Sequence, residues 1–462
     1  MRRKWLGSIT TMLFAAGAAW AQAPVPVSPE TPPAGQAVEQ VAASADGAPT
    51  PVVQVPPPVA PAASPALTPA MPAKPNCDTA PVLPASTFSP TRHSEYASGP
   101  DADVWFNAEY ILWWIKNERI PTLVGTSPTA DVQTGSLKDI TPIYGDTTVH
   151  YHEQSGVRLS AGGWINESHT IGLDASFFQL ERKASGTTIS SGGDPVIGPV
   201  FFDPVALQNT LVLASLPAFA SGPFTASQRS ATIGIESSNQ FWGADANARI
   251  NVGAVFFMDH LDILLGYRQM YFSEALDMNT VSTALPGNPG PNIFISDHFG
   301  TRNQFYGGQF GFASHGSYGR WSFDGVFKFA MGDVHEVLNI DGSTTISEHF
   351  LSGIRQTTTP GGVFTQPTNI GHFNKDQFGV LPELTLTAGY QLTQHARATI
   401  GYNILYLSQV LRAGDQFDLV DGRQVQSLST FTANSGATQP QPRFFSDRFY
   451  AQGLNLGLEF SY

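Results

Sequence analysis

The sequence predicts an all-β protein: a transmembrane, antiparallel, up-and-down β-barrel of about ten strands, preceded by a disordered segment rich in proline and alanine. Three observations support this prediction. Only 13% of the 462 residues are charged while 42% are hydrophobic, whereas soluble domains carry roughly 25% charged residues. Beyond residue 101, apolar residues alternate with polar or small ones, which is the periodicity of a strand. Short and long connections between the predicted strands also alternate, as in membrane barrels.

The first 21 residues resemble a signal for export. Basic residues occupy positions 2–4, and an apolar run follows from position 5 to about position 20. The segment 19–21 (Ala-Trp-Ala) matches the small-x-small pattern of a cleavage site. Because the run is shorter than the roughly 20 residues of a membrane-spanning helix, we predict a signal peptide over 1–21 that is removed after Ala21.

Residues 22–100 are predicted to form a disordered periplasmic linker. This segment holds 19 of the 35 prolines, and no aromatic residue occurs between positions 22 and 87. Such a composition cannot bury a hydrophobic core. The linker could contact the cell wall or serve as a spacer without contacts, and the composition does not decide between these functions. The single cysteine, Cys77, excludes an intramolecular disulfide.

The barrel is predicted over residues 101–462. In the segment 169–178, Ile171 and Leu173 share the apolar face while Gly172 and Asp174 share the other. We place strands at about 103–115, 153–165, 169–182, 239–252, 260–273, 300–314, 320–333, 376–391, 396–411 and 447–462. Short turns join every second pair, and the other connections are about 25 residues or longer. A further hairpin within 183–238 would raise the count from ten to twelve.

The polar face of these strands predicts a lumen lined by seven acids and five bases. They are Glu109, Arg158, Asp174, Asp245, Arg249, Asp262, Arg268, Asp324, Lys328, Glu383, Arg397 and Glu459. Opposed charges could form a constriction that filters ions, or they could pair across a narrow lumen and stabilise it. Because barrels of eight strands are filled by their own side chains and barrels of sixteen leave a channel, ten strands favour pairing.

Aromatic residues near the predicted strand ends are typical of the girdles that mark membrane interfaces, although stacking platforms for sugars are an alternative. These residues are Trp105, Tyr110, Trp113, Trp114, Trp164, Trp242, Tyr267, Trp321 and Tyr402.

The C-terminal strand carries an apolar residue at every second position and ends on an aromatic residue. The alternating residues are Leu454, Leu456, Leu458, Phe460 and Tyr462. This pattern is typical of outer-membrane barrels that the barrel-assembly machinery recognises. It predicts that machinery and outer-membrane lipid as partners, and a location in the outer membrane.

Several short motifs carry a resemblance to a known family. They are residues 108–116 (AEYILWWIK), 265–268 (LGYR), 301–309 (TRNQFYGGQ), 381–384 (LPEL), 412–416 (RAGDQ) and 452–457 (QGLNLG). Over nearly all of 103–462, the chain resembles a planctomycete family of outer-membrane β-barrel porins, the seventh family numbered under that heading. Ala413 stands where the family pattern has proline. The resemblance implies a fold and a location, and it supplies no active-site residues.

Other classes of function have weaker support. A net charge of −13 argues against nucleic-acid binding. The eleven histidines are expected in the linker, turns or loops, so no catalytic group, metal site or cofactor is predicted; His150 and His152 beside Glu153 are the best metal candidates and are judged to be solvated. Passive diffusion of small solutes is the leading hypothesis. The alternative is a non-conducting structural or surface-interaction barrel that acts through its long extracellular loops, and an outer-membrane hydrolase ranks third. The oligomeric state is not predicted.

Overall fold

The computed structural model describes residues 102–129, 132, 139–218, 228–255, 258–285, 290–350 and 353–462. The predicted signal peptide and linker, 1–21 and 22–100, lie outside these ranges. The strands are β1 Val104–Ile115, β2 Glu118–Ile120, β3 Val124–Ser127, β4 Thr141–Tyr144, β5 Thr147–Val149, β6 Glu153–Trp164, β7 Ile171–Leu180, β8 Lys183–Ser191, β9 Val196–Asp203, β10 Gln208–Leu211, β11 Arg229–Val255, β12 Met258–Ala284, β13 Asn292–Tyr318, β14 Trp321–Phe350, β15 Gly353–Pro360, β16 Gly371–Gln391, β17 Ala396–Leu411 and β18 Ser446–Ser461. Two 3-10 helices span Ala413–Gln416 and Gly422–Gln424. No helix in the described part of the chain is long and apolar enough to cross a membrane.

Ten antiparallel strands form a closed ring, which confirms the predicted fold class. In order around the ring they are β1, β6, β7, β11, β12, β13, β14, β16, β17 and β18. The ring closes because β18 pairs with β1 along 11 residue pairs. At the edge where β1 begins, the backbone N–H of Val104 donates to the carbonyl of Tyr462 (3.0 Å). Closure gives every strand of the ring a paired neighbour on each side.

One expectation about the long connections was wrong. β11 to β14 are 27 to 30 residues long, so much of the predicted connections 274–299 and 334–375 is a continuation of strands. The segment 183–238, in which a further hairpin was left open, adds none to the ring: β8 pairs with the part of β11 that β7 does not reach, while β9 and β10 join β3 and β4 in a separate four-stranded sheet. The ring therefore keeps ten strands.

An apolar band on the outer surface has the height of a membrane. On β14 the outward residues from Trp321 to Met331 are apolar or small, and Asp333 and His335 follow them. Ten residues at about 3.3 Å each, tilted by about 40°, give a band of roughly 25 Å. We call this the outer apolar band. The strands that continue beyond it, on the side away from the short turns, form the projecting part.

Charge placed in the outer apolar band should prevent assembly. Leu265 points outward from the part of β12 that lies in the outer apolar band and is 51% exposed, so Leu265→Arg should cost about 2–4 kcal/mol in lipid. Ala275, ten residues further along the same face, lies beyond the band between Ser238 and Gly300. Ala275→Arg is therefore the matched control and should assemble normally. Heat-modifiable gel migration of the membrane fraction measures both; normal assembly of the Leu265 variant would contradict the assigned band.

Candidate functional site

The twelve charged residues predicted to line the lumen all face the interior of the ring. Strand pairing fixes this arrangement, because a side chain changes face with every residue and each of these strands pairs on both sides. Eleven of the twelve form ion pairs with one another. The exception, Glu109, accepts hydrogen bonds from the amides of Asn107 (3.1 Å) and Asn455 (3.2 Å).

Three ion pairs cross the interior between strands that are not neighbours. Arg158 on β6 donates to Glu383 on β16 (2.8 Å), and Arg268 on β12 binds the other oxygen of the same carboxylate. Lys328 on β14 contacts Asp245 on β11 (2.6 Å). All five side chains are buried. We call this group the crossing ion pairs; they join strands that are three or four places apart in the ring.

A second group of ion pairs lies nearer the short-turn edge. Arg249 donates to Asp262 (2.8 Å) and lies 3.5 Å from Asp174. Arg397 donates to Asp324 (2.8 Å) and Glu459 (2.6 Å). Every base here is shared by two acids, so no cation of this group is left to bind a solute.

An aromatic layer fills the interior on the other side of the crossing ion pairs. It consists of Trp113, Phe178, Phe241, Phe272 and Phe449, all fully or almost fully buried. The five rings form a chain of contacts with centroids 4.3–5.9 Å apart.

The closest contact of this layer joins opposite walls. Phe272 on β12 and Phe449 on β18 have ring centroids 4.3 Å apart. In a ring of ten strands, β12 and β18 are five places apart, so they lie directly opposite each other. Rings from opposing walls in van der Waals contact leave no bore between them.

The aromatic layer was not predicted from the sequence. Trp105, Trp113 and Trp164 were interpreted as parts of the girdles, but they lie on the interior face. The remaining members of that set point outward, for example Tyr267 and Trp321, which are each 51% exposed. A signal for the layer exists in the pairs Phe241-Trp242 and Tyr271-Phe272. Two successive aromatic residues in a strand place one ring on each face.

Beyond the aromatic layer lies a buried polar cluster of Glu118, Tyr151, Glu274 and Arg412. Arg412 binds both oxygens of Glu274, and the Tyr151 hydroxyl donates to Glu118 (2.8 Å). Glu118 also accepts from the backbone N–H of Gly414 (2.7 Å). Burial, with a further contribution from Glu118, outweighs the attraction of Arg412 and raises the pKa of the Glu274 carboxyl to about 8. The cluster therefore holds a proton near neutral pH.

Arginines lie on both sides of the aromatic layer. The Arg158 guanidinium is 5.0 Å from the centroid of Trp113, and that of Arg412 is 5.6 Å from the centroid of Phe272. Such contacts contribute about 2 kcal/mol when they are desolvated. The interior is thus a stack of charged, aromatic and charged layers.

Comparison with known proteins decides the family. The model of the family described as "Putative beta barrel porin-7" matches residues 105–462. The chain belongs to this family. No curated protein matches the sequence.

The porin-7 chain also resembles solved membrane barrels, at low similarity. The outer membrane protease OmpT from Escherichia coli is 11% identical with a TM-score of 0.34, covering 80% of this chain and 100% of its own. The toluene transporter TodX of P. putida is 6% identical with a TM-score of 0.15, covering 79% of this chain and 91% of its own. At these TM-scores the likeness carries no argument about function. Membership of the porin-7 family identifies the chain as an outer-membrane β-barrel.

The C-terminal residues of this porin-7 barrel contact the membrane side. Leu454, Leu456 and Leu458 are each more than a third exposed on the outer face of β18, as are Phe460 and Tyr462. The ring of Tyr462 stacks on His395 with centroids 5.0 Å apart. These side chains are therefore exposed on the outer surface of the barrel.

Histidines occupy positions that the sequence did not predict. His298 and His335 lie within β13 and β14, where loops or loop ends were expected, because those strands continue into the projecting part. The rings of His150 and His152 are 6.5 Å apart. Among the described residues, no group of three or more His, Cys, Asp or Glu side chains is arranged to hold a metal ion.

Proposed function

We propose that this chain is a non-conducting barrel of the outer membrane and that its projecting part, facing the cell exterior, carries its function. The observation that supports the closed interior is the contact of Phe272 with Phe449, whose centroids are 4.3 Å apart although their strands lie opposite each other. An ion crossing this layer would have to leave water for a fully buried aromatic surface, which costs many kcal/mol.

The crossing ion pairs support the same proposal. Separating the walls would break the contacts of Glu383 with both Arg158 and Arg268. Removing one partner of a buried pair typically costs about 3–5 kcal/mol, because it leaves an uncompensated charge. Thermal fluctuation rarely supplies this free energy, so the barrel should spend most of its time with the crossing ion pairs formed.

The orientation follows from the position of the strand ends. Val104 and Tyr462 lie together at the edge of the short turns, and in outer-membrane barrels this edge faces the periplasm. The projecting part would then face outward. Residues 22–100 would enter the periplasm, where contact with the cell wall is a further part of the proposal.

Conductance of the refolded protein tests the closed interior. We expect a planar bilayer containing the barrel to show no discrete current steps, while heat-modifiable gel migration proves that the barrel is folded. Steady single-channel steps from folded protein would contradict the proposal.

Passive diffusion of small solutes is the second candidate, because the family description includes the word porin. In that case discrete current steps should appear in the planar bilayer. The channel should prefer cations, because seven acids and five bases line the interior. Neutralising Asp262, which lies near the short-turn edge, should then reduce the preference for cations.

Deleting Tyr462 should impair insertion by the barrel-assembly machinery. The deletion removes the final aromatic residue and its backbone hydrogen bonds with Val104 at 3.0 and 2.9 Å. Tyr462→Phe keeps the ring and these bonds, so it is the matched control. Pulse-chase appearance of the heat-modifiable form measures insertion; equal rates for the deletion and the control would rule out the terminal signal.

A further inference from the structure

The wall of the projecting part is interrupted beside β14. This strand pairs with β16 as far as Ile340 and with β15 from Ser343 onward, so Asp341 and Gly342 have no strand partner on that side. An open cleft of about 600 Å³ lies at the interruption. Its lining residues are Ser296, His298, Asp341, Gly342, Ser343, Thr358, Thr359, Pro360 and Ile370.

Asp297 builds the cleft by holding the segment after β15 inside the barrel. Its buried carboxylate accepts hydrogen bonds from the backbone N–H groups of Val363 (2.9 Å), Phe364 (2.8 Å) and Thr365 (2.8 Å). The Thr365 hydroxyl donates to the same oxygen (2.7 Å). Because this segment turns inward, it leaves the gap between β15 and β16 on the outer face.

The imidazole of His298 is fixed in the cleft. Its Nδ1 lies 2.6 Å from Asp277 Oδ1, and this hydrogen bond raises the pKa of His298. Nε2 has no protein partner in the described part of the chain. A Cβ at Gly300 would come 2.9 Å from Nε2, so the glycine makes room for the ring.

Free polar atoms surround this imidazole. Asp341 receives one hydrogen bond, from Asn339 to Oδ2 (2.5 Å). Within the described ranges its Oδ1 has no partner, and neither do the hydroxyls of Ser296 and Ser343. The cleft therefore offers a carboxylate, an imidazole and two hydroxyls, together with the apolar surface of Ile370.

We propose that this cleft binds an oligosaccharide. Sugars present adjacent hydroxyls that donate to a carboxylate and accept from hydroxyl or imidazole groups, and their C–H faces pack on aliphatic side chains. A peptide would instead need a deep apolar pocket for an anchoring side chain, and the lining of this cleft is mostly polar.

The height of the cleft indicates two sources of the sugar. Tyr271 is the last aromatic residue of the outer apolar band on β12, and Asp277 lies six residues beyond it. In tilted strands this separation places Asp277, and with it the cleft, about 15 Å above the band. A glycan attached to a lipid of the same leaflet can reach this level, as can a free polysaccharide outside the cell. This inference rests on the proposed outward orientation of the projecting part.

Saturation-transfer NMR on the refolded barrel in micelles tests the proposal with two probes. One is a deacylated core oligosaccharide from lipopolysaccharide, and the other is maltohexaose. We expect transfer to at least one probe, reduced at least about tenfold in Ser343→Phe, which fills the cleft, and in Asp341→Ala. Transfer to the core oligosaccharide alone identifies a lipid-linked glycan, and transfer to maltohexaose alone identifies a free glucan.

His335→Ala is the matched control. His335 also pairs with a carboxylate on the outer face, at 2.5 Å from Asp376, but it does not line the cleft. Transfer should be unchanged in this variant. The absence of transfer to both probes, or equal transfer in Ser343→Phe, would overturn the proposal. A casein digest is measured in parallel as a peptide probe, and transfer to its peptides without transfer to either sugar would also overturn it. Because sugar binding is measured in micelles, a failure to bind either sugar would leave the results on conductance and orientation unaffected.

Discussion

Replacing Phe272 and Phe449 together by alanine should turn the barrel, which we propose to be non-conducting, into a channel. These rings contact each other from opposite walls, with centroids 4.3 Å apart. Their loss removes the narrowest part of the aromatic layer, and water can then connect the polar layers on either side. We expect discrete current steps at a frequency at least about tenfold above the background of the parent, because a hydrophobic constriction of this kind blocks ions by excluding water.

The cost in stability must be separated from the gain in conductance. Each Phe→Ala change in a core costs about 3–5 kcal/mol, and the two changes are coupled because the rings touch. Phe299 and Phe417 form a similar stacked pair, also 4.3 Å apart, outside the aromatic layer. The double alanine variant of that pair should lose comparable stability and stay silent. If the Phe272/Phe449 variant folds by gel migration and remains silent, the aromatic layer is not the barrier.

The interior charges could be predicted from the sequence because strand geometry has a period of two. Once Asp245 and Arg249 are assigned to one face of β11, every second residue of the strand follows. The pairing of charges across the interior could not be predicted in this way. The contact of Glu383 with both Arg158 and Arg268 depends on how ring closure brings together strands that are far apart in sequence.

The projecting part was harder to predict because the outer face of one strand changes from apolar within the band to polar beyond it. Within the band the outer residues are apolar, so alternation is clear, as at Leu265 and Tyr267. Beyond the band they are polar, as at Ser273 and Asp277. Polar residues on the outer face remove the contrast that marks a strand. The strands predicted at 239–252, 260–273, 300–314 and 320–333 are therefore shorter than β11 to β14 at the ends that lie in the projecting part. The cleft at His298 was missed for the same reason.

The stability of the barrel should fall as pH rises from about 5 to about 8, and Glu274→Gln should abolish most of this fall. In the folded state the pKa of Glu274 is raised to about 8 by burial and by Glu118, compared with 4.5 for an ordinary glutamate. A raised pKa means that the folded state binds the proton more tightly than the unfolded state. The associated stabilisation is complete below pH 4.5 and is lost as pH rises through 8, by at most about 1.4 kcal/mol per unit. Urea unfolding in detergent micelles across this range measures the slope.

Arg412 should stabilise the same cluster by compensating the charge of its carboxylates. It binds both oxygens of Glu274, so Arg412→Met leaves two buried carboxylates, Glu118 and Glu274, without their cation. We expect a loss of about 3–5 kcal/mol at pH 8. In the double variant with Glu274→Gln, one carboxylate is gone and much of this loss should be recovered, because contacting residues are not additive. Additive effects in this cycle, or an unchanged pH slope in Glu274→Gln, would show that the proton resides elsewhere. Recovery would show that Arg412 serves to balance the charge of Glu274 in the buried cluster beyond the aromatic layer.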